Sequence, residues 1–263
     1  MTYTPRPRTR TELRDVASLS REETRAMFRV FERYYKDVSW EQFIEDLSDK
    51  QSLFMVIEEG LAGGRIVGFS TNWKRTLALS DGRRATFLFS GDTVVEKEYW
   101  GTRLLQMAFF WYILRAKLAS PFSPVYWMLI SKGYKTYLMM RSNFPNSFPS
   151  AEGSIDASTR AVIDEFYSRR FGAAYQPETG LIAFDTPHGA VKEGIAAPPP
   201  QLASDPEVRF FMKANPRYQE GVELACLAQV RFSDFPRHLL KYFLRPLFAR
   251  RQARAIPPAQ VAP

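Results

Sequence analysis

At 263 residues with 45% apolar side chains, the chain is long enough to bury a substantial core, which excludes disorder throughout. Thirty-six Lys and Arg against 28 Asp and Glu give a net charge of +8, which favours anionic partners without naming one. Nucleic acid is set aside because no Cys/His finger spacing, Gly-rich RNA clamp or internal repeat accompanies that charge. One cysteine, Cys226, cannot pair internally, and two histidines, His188 and His238, are too few for a structural metal cluster, so a reducing cytoplasmic setting fits. The basic start is not followed by a signal-peptide core, and no apolar run reaches the ~18 residues of a membrane span.

Residues 1–14 read as a flexible basic lead-in. Ser20-Arg-Glu-Glu23 is a capping box that opens a helix with Ala26, Val30, Phe31 and Tyr34 on its apolar stripe, and Ser39-Trp-Glu-Gln42 repeats the signal before Phe43, Ile44 and Leu47. Strands are expected over 53–58, over 63–73 and from about 85 to 95, the last two joined through Asp81-Gly82 as an antiparallel hairpin. A helix of about five turns is expected over 99–118. Pro121 and Pro124 break the chain before a further strand over 125–130, which should return to the same sheet.

A short helix over 133–140 follows, stopped by the 143–149 stretch with Pro145 and Pro149. Another helix is expected over 158–170, then two β-prone pieces around Pro177 and Gly180, a helix over 207–214 and a last strand over 222–232. Residues 235–254 carry six Lys or Arg, no Asp or Glu and an apolar stripe, a pattern suited to an anionic membrane surface, to an acidic acyl carrier, or to packing on the protein itself.

The window Glu98-Tyr-Trp-Gly101-Thr102-Arg103, set between Val94-Val95 and Leu104-Leu105, resembles the pyrophosphate turn of the GNAT acyltransferase superfamily. That turn reads Gln or Arg, two residues, Gly, one residue, and Gly or Ala. Gly101 falls on the pattern, whereas Glu98 and Arg103 depart from it. With the order of the neighbouring elements, the resemblance spans about residues 20–185. It implies an α/β (α+β) fold: a mixed, largely antiparallel central sheet flanked by helices, with a C-terminal extension. The domain would run over 15–200, the extension over 201–254, and a flexible tail over 255–263.

The same resemblance implies acyl-CoA or a phosphopantetheine-linked acyl donor as co-substrate, with no tightly bound cofactor and no metal. It places the donor at Val94, Val95, Gly101, Thr102 and Arg103, where Arg103 either grips phosphate or merely solvates the first helical turn. It also implies a tyrosine from the helix after the next strand as proton donor to the leaving thiolate, here Tyr137 ahead of Tyr134.

Transfer to an amine needs a proton acceptor, and Asp92 is the first candidate, set against a purely structural role at a bulge. Arg141, Asn143 and Asn146 are candidates for binding a small-molecule or lipid-like acceptor, set against a rigid loop packed over the sheet. A covalent route through Cys226 is disfavoured by its apolar surroundings. The expected activity is N-acyl transfer, with a medium or long acyl chain worth testing. A non-catalytic acyl-CoA or acyl-carrier-binding protein and a membrane-surface module are the alternatives, and in either case the protein is expected in the cytoplasm, free or at the inner membrane face.

Overall fold

The computed structural model of the protein describes residues 8–60, 64–100, 102–153, 155–186, 188–192 and 197–240. Gly101, residues 1–7 of the lead-in, most of the basic segment at 241–254 and the tail at 255–263 lie outside the described residues.

The chain begins with β1 (Thr9–Asp15), α1 (Arg21–Tyr34), β2 (Tyr35–Lys36), α2 (Trp40–Ser48), β3 (Ser52–Glu58), β4 (Arg65–Ala78) and β5 (Arg84–Val95). It continues through α3 (Leu104–Ala119), β6 (Val125–Ser131), α4 (Tyr134–Asn143), β7 (Ser147–Phe148) and α5 (Ala157–Phe171). Then come β8 (Tyr175–Gln176), β9 (Leu181–Ile182), β10 (Ala190–Val191), α6 (Pro206–Ala214), β11 (Glu223–Gln229) and α7 (Asp234–Leu239). The capping box is present: Ser20 Oγ accepts the Glu23 amide at 3.1 Å and Glu23 Oε2 accepts the Ser20 amide at 2.8 Å. Ser39 Oγ caps α2 through the Gln42 amide at 3.1 Å.

The main sheet runs β1-β3-β4-β5-β6-β11-β9-β8, with β7 also paired to β11, and β10 and β2 form a separate pair. Its pairings are antiparallel except β5 with β6, which lie on either side of the α3 crossover. The protein is therefore a mixed α+β fold with a large, mostly antiparallel sheet flanked by helices. Alternation along the central strands covers both faces. Leu88, Trp127 and Leu129 pack toward α3, while Phe87, Phe89, Tyr126 and Met128 pack toward α5.

Three expectations are corrected here. Residues 9–15 of the supposed flexible lead form an edge strand, β1, paired along its length with β3. Their Thr/Arg/Glu alternation hides a strand whose outward face is polar. The long helix begins at Leu104 rather than near Tyr99, because Thr102 turns its amide and its hydroxyl back onto the Tyr99 carbonyl. The last strand is shorter than expected and is not peripheral: β11 lies between β6 and β9 in the main sheet, so residues beyond 200 complete the fold.

One irregularity shapes the rest. Between β4 and β5, Ser70 pairs with Thr93 and Asn72 with Ser90, so Gly91 and Asp92 together oppose Thr71 alone. Glycine fits closely there, since a Cβ at 91 would come within 2.5 Å of Thr71 Oγ1 and 2.8 Å of Lys50 Cε and push both side chains aside. The parallel pairing of β5 with β6 stops at the same level, at Ser90 opposite Leu129, and beyond it the two strands part. Two buried side chains fix the point of parting. Trp127 Nε1 donates to Ser90 Oγ at 2.7 Å, and the Tyr167 hydroxyl lies 2.7 Å from the Leu129 carbonyl and 2.6 Å from that of Cys226.

Replacing Tyr167 with Phe would leave those two buried carbonyls without their side-chain partner while keeping the ring. It should cost about 1–3 kcal/mol in urea-monitored unfolding, and an unchanged midpoint would show that the hydroxyl does not hold β6 to β11.

Candidate active site

Where β5 and β6 part, a cavity of about 830 Å³ opens, within the range of small-molecule sites. Its walls come from the β5 end, the start of α3, the 130–136 turn, α2, the β2 region and Glu223 of β11. The two ends differ in character.

At one end lie Val94, Val95, Trp100, Thr102 and the first turn of α3, with Leu104, Leu105 and Gln106 lining the space. Among the described residues no side chain caps this helix at Arg103, and because its first turn lines the cavity the positive end of its dipole lies at that wall. Such an end receives an anion readily. Lys135 adds a charge here, its ammonium 4.2 Å from the centre of the Trp100 ring; burial, then Lys97, lowers its proton affinity. Among the described residues no strand pairs with the edge of Thr93–Val95 turned away from β4, and Trp100 Nε1 donates to the Val95 carbonyl at 2.8 Å.

The other end is acidic. Asp92 from the bulge, Asp46 and Glu45 from α2, and Glu223 line it, together with Lys50, Lys132, Arg170 and His188. Asp49 is engaged by Arg170 and by Lys50 at 3.2 Å, and Glu223 by Lys132 at 3.4 Å. Burial raises Asp46 above the ordinary carboxylate range, and Asp92 adds to the effect. Glu223 is pushed up to about 7, first by burial and then by Asp92 and Asp46, against the opposing pull of Lys132.

Of the residues singled out from sequence, Asp92, Val94, Val95 and Thr102 stand on the cavity wall. Thr102 spends its hydroxyl on the Tyr99 carbonyl at 2.5 Å. Arg103 is exposed at the helix start and does not line the space.

Tyr137 is not at the cavity. Its ring is 1% exposed, lies beside Phe210 and Phe211 of α6, and turns its hydroxyl to Glu207 and, at 3.1 Å, to the Pro149 carbonyl. Tyr134, one turn earlier on α4, lines the cavity instead and is 3% exposed, and its hydroxyl makes no hydrogen bond among the described residues. Burial raises its phenol.

Arg141, Asn143 and Asn146 also stand away from the cavity. Arg141 reaches Glu207 at 2.9 Å and the Ser147 carbonyl at 2.8 Å, clamping the 145–152 loop to α6. Asn143 donates to the Met139 carbonyl at 2.8 Å, and the Asn146 carbonyl accepts from Gln229 at 3.0 Å. Cys226 is fully buried in β11, and burial pushes its thiol far up.

Glu223, Lys132 and Asp46 were not singled out from sequence. One signal was available: Glu223 precedes the all-apolar run Leu224-Ala-Cys-Leu-Ala228, and a carboxylate at the mouth of a buried strand is costly without a purpose or a partner.

No protein-family model matches the sequence, and no curated protein matches it. Among solved structures, a probable N-acyltransferase of Enterococcus faecalis aligns at 16% identity and a TM-score of 0.36, over 51% of this chain and 31% of its own. The chain thus spans about a third of that protein's length. An acetyltransferase of Trypanosoma brucei aligns at 17% identity and a TM-score of 0.35, over 56% of this chain and 97% of its own. A GNAT family N-acetyltransferase of Escherichia coli, solved with CoA, aligns at 12% identity and a TM-score of 0.36, over 54% and 72%.

The state of Glu223 has a consequence for stability. The folded protein holds this proton more tightly than the unfolded chain, so its contribution is full below about pH 4.5 and is lost as the pH rises through about 7. The loss is on the order of 3 kcal/mol. Between about pH 5 and 8 the melting temperature of the wild type should therefore fall relative to that of Glu223→Gln, and parallel curves would show that Glu223 does not titrate in this window.

Proposed function

We propose that the protein is an N-acyltransferase, a divergent GNAT superfamily member that moves an acyl group from a CoA- or phosphopantetheine-linked thioester to an amine. The observation that carries this reading is the two-ended cavity at the parting of β5 and β6, with an uncapped helix start at one end and a carboxylate-lined wall at the other.

In this reading the donor's phosphates sit at the start of α3 with Lys135 beside them, and Gly101 and Arg103 belong to that turn. The pantetheine arm runs along the free edge of Thr93–Val95, where main-chain donors and acceptors can treat it as a further strand. The thioester then lies near Asp92 and Tyr134. Asp92 meets the amine, and Tyr134 takes over the role expected of Tyr137, giving its proton to the departing sulfur. Phe89, Phe109, Phe171, Phe184 and Met139 give the cavity apolar wall beyond what an acetyl group fills, which favours a medium or longer acyl chain.

A donor-binding protein without turnover is the second reading. The Trp100 indole already occupies the Val95 carbonyl, one of the groups the arm would use.

Native mass spectrometry after mixing with CoA, acetyl-CoA, decanoyl-CoA and a decanoyl-loaded acyl carrier should show a bound donor, the decanoyl form more strongly than the acetyl form. No bound donor of any kind would end the proposal. With an amine present, thiol release should follow, and Asp92→Asn should bind donor within about twofold of wild type while losing transfer by about 100-fold, the scale on which a misplaced reactant slows a reaction. Binding without thiol release across primary amines would favour the second reading. Tyr134→Phe should lower kcat by about tenfold or more with little change in donor affinity, and Tyr137→Phe should leave kcat near wild type.

A further inference from the structure

Glu223 is the least expected group at the cavity. It stands at the start of β11, is 5% exposed, and still contributes to the wall. Lys132, at the end of β6, approaches it at 3.4 Å while donating to the His188 carbonyl. The other groups that face it come from different elements: Asp92 from the β5 bulge, Asp46 from α2, and the Tyr35 phenol from β2. A buried ion pair kept only for structure gains from a balanced partner and from distance to like charge. Glu223 shares the cavity wall with two other carboxylates, Asp92 and Asp46, that oppose its ionisation.

We infer that Glu223 is the group that takes the proton from the acceptor's ammonium ion, with Asp92 orienting that ion and Lys132 acting as a positioning residue that holds the Glu223 carboxylate at the wall. The inference rests on the acyl-transfer reading above. The ammonium R–NH3⁺ gives one proton to the Glu223 carboxylate, leaving a neutral amine and a neutral carboxylic acid. The nitrogen lone pair attacks the thioester carbonyl carbon, the C–N bond forms, and the C–S bond breaks with its electron pair on sulfur. Tyr134 protonates the sulfur and regains the second proton of the nitrogen, so the products are an amide, a thiol and one proton that Glu223 passes to solvent. A carboxyl that ionises near neutrality suits this task, because at working pH it is both present as the base and able to hold the proton.

Two measurements on the intact protein test this. The first is a carboxyl ¹³C NMR titration of wild type, Glu223→Gln and Lys132→Met. One resonance should titrate near neutrality in wild type, vanish in Glu223→Gln, and move to higher pH in Lys132→Met, where the opposing cation is gone. The second is thiol release from acetyl-CoA and decanoyl-CoA with spermidine, lysine and glycinamide as acceptors, followed over pH. The acid limb of kcat/KM should coincide with that resonance and shift with it in Lys132→Met, while Glu223→Gln should lose about 100-fold in kcat and bind acetyl-CoA within twofold of wild type.

If transfer proceeds and Glu223→Gln keeps both its rate and its acid limb, the role of Glu223 is overturned and acyl transfer stands. If Glu223→Gln does not fold, a wild-type acid limb that fails to track the Glu223 resonance overturns the role equally. If donor binds and no amine is acylated, or if no donor binds, the acyl-transfer reading falls and this inference with it.

Discussion

The two-residue bulge at Gly91 and Asp92 is the constraint on which the site depends. An extra residue on β5 bends that strand away just where its parallel partner ends, and the missing Cβ at position 91 leaves Thr71 and Lys50 room to pack against the bend. Above the bulge the sheet is pinned by Trp127 and Tyr167 through buried hydrogen bonds to the last paired level. Below it, the strands separate and leave main-chain groups without sheet partners. A rigid half and an open half of one sheet thus meet at a single step, and the catalytic candidates gather at that step.

The cavity's chemical asymmetry follows from which elements end there. A helix that starts at the opening supplies uncapped amides and a positive dipole end, while α2, the bulge and the first residue of β11 supply carboxylates from three directions. One end is suited to an anionic carrier group and the other to a cation. A thioester donor and an amine acceptor have that polarity, so under the proposed function the same geometry would sort the two substrates and bring their reacting atoms together in the middle.

Much of the fold was legible because its signals are local. Ser20-Arg-Glu-Glu23 specifies a helix start, Asp81-Gly82 a hairpin, and the apolar alternation of residues 85–90 and 125–130 two strands covered on both faces. Asp92 was legible as well, since a carboxylate beside glycine in an otherwise apolar strand marks either a bulge or a site, and here it stands at a bulge and on the cavity wall. What was hidden depends on contacts across the chain. Tyr137 could not be told from Tyr134 without α6, whose Glu207, Phe210 and Phe211 enclose it. Arg141 looked like an anion-binding group until the same Glu207 claimed it. Glu223 lies 131 positions from Asp92 in sequence and joins it only because β11 inserts beside β6.

That insertion also sets an order of events during synthesis. β6 and β9 are both made before β11; β6 can already pair with β5, whereas β9 joins the sheet only through β11, a long-range pairing of the kind that forms late. Until residues 223–229 have emerged, β6 exposes an apolar edge and the cavity lacks its deepest carboxylate. A nascent chain would therefore carry an assembled helix start and an incomplete floor, and a ribosome-bound intermediate truncated before β11 would present the α3 end of the cavity alone, together with an unpaired strand edge exposed to chaperones or to association with another chain.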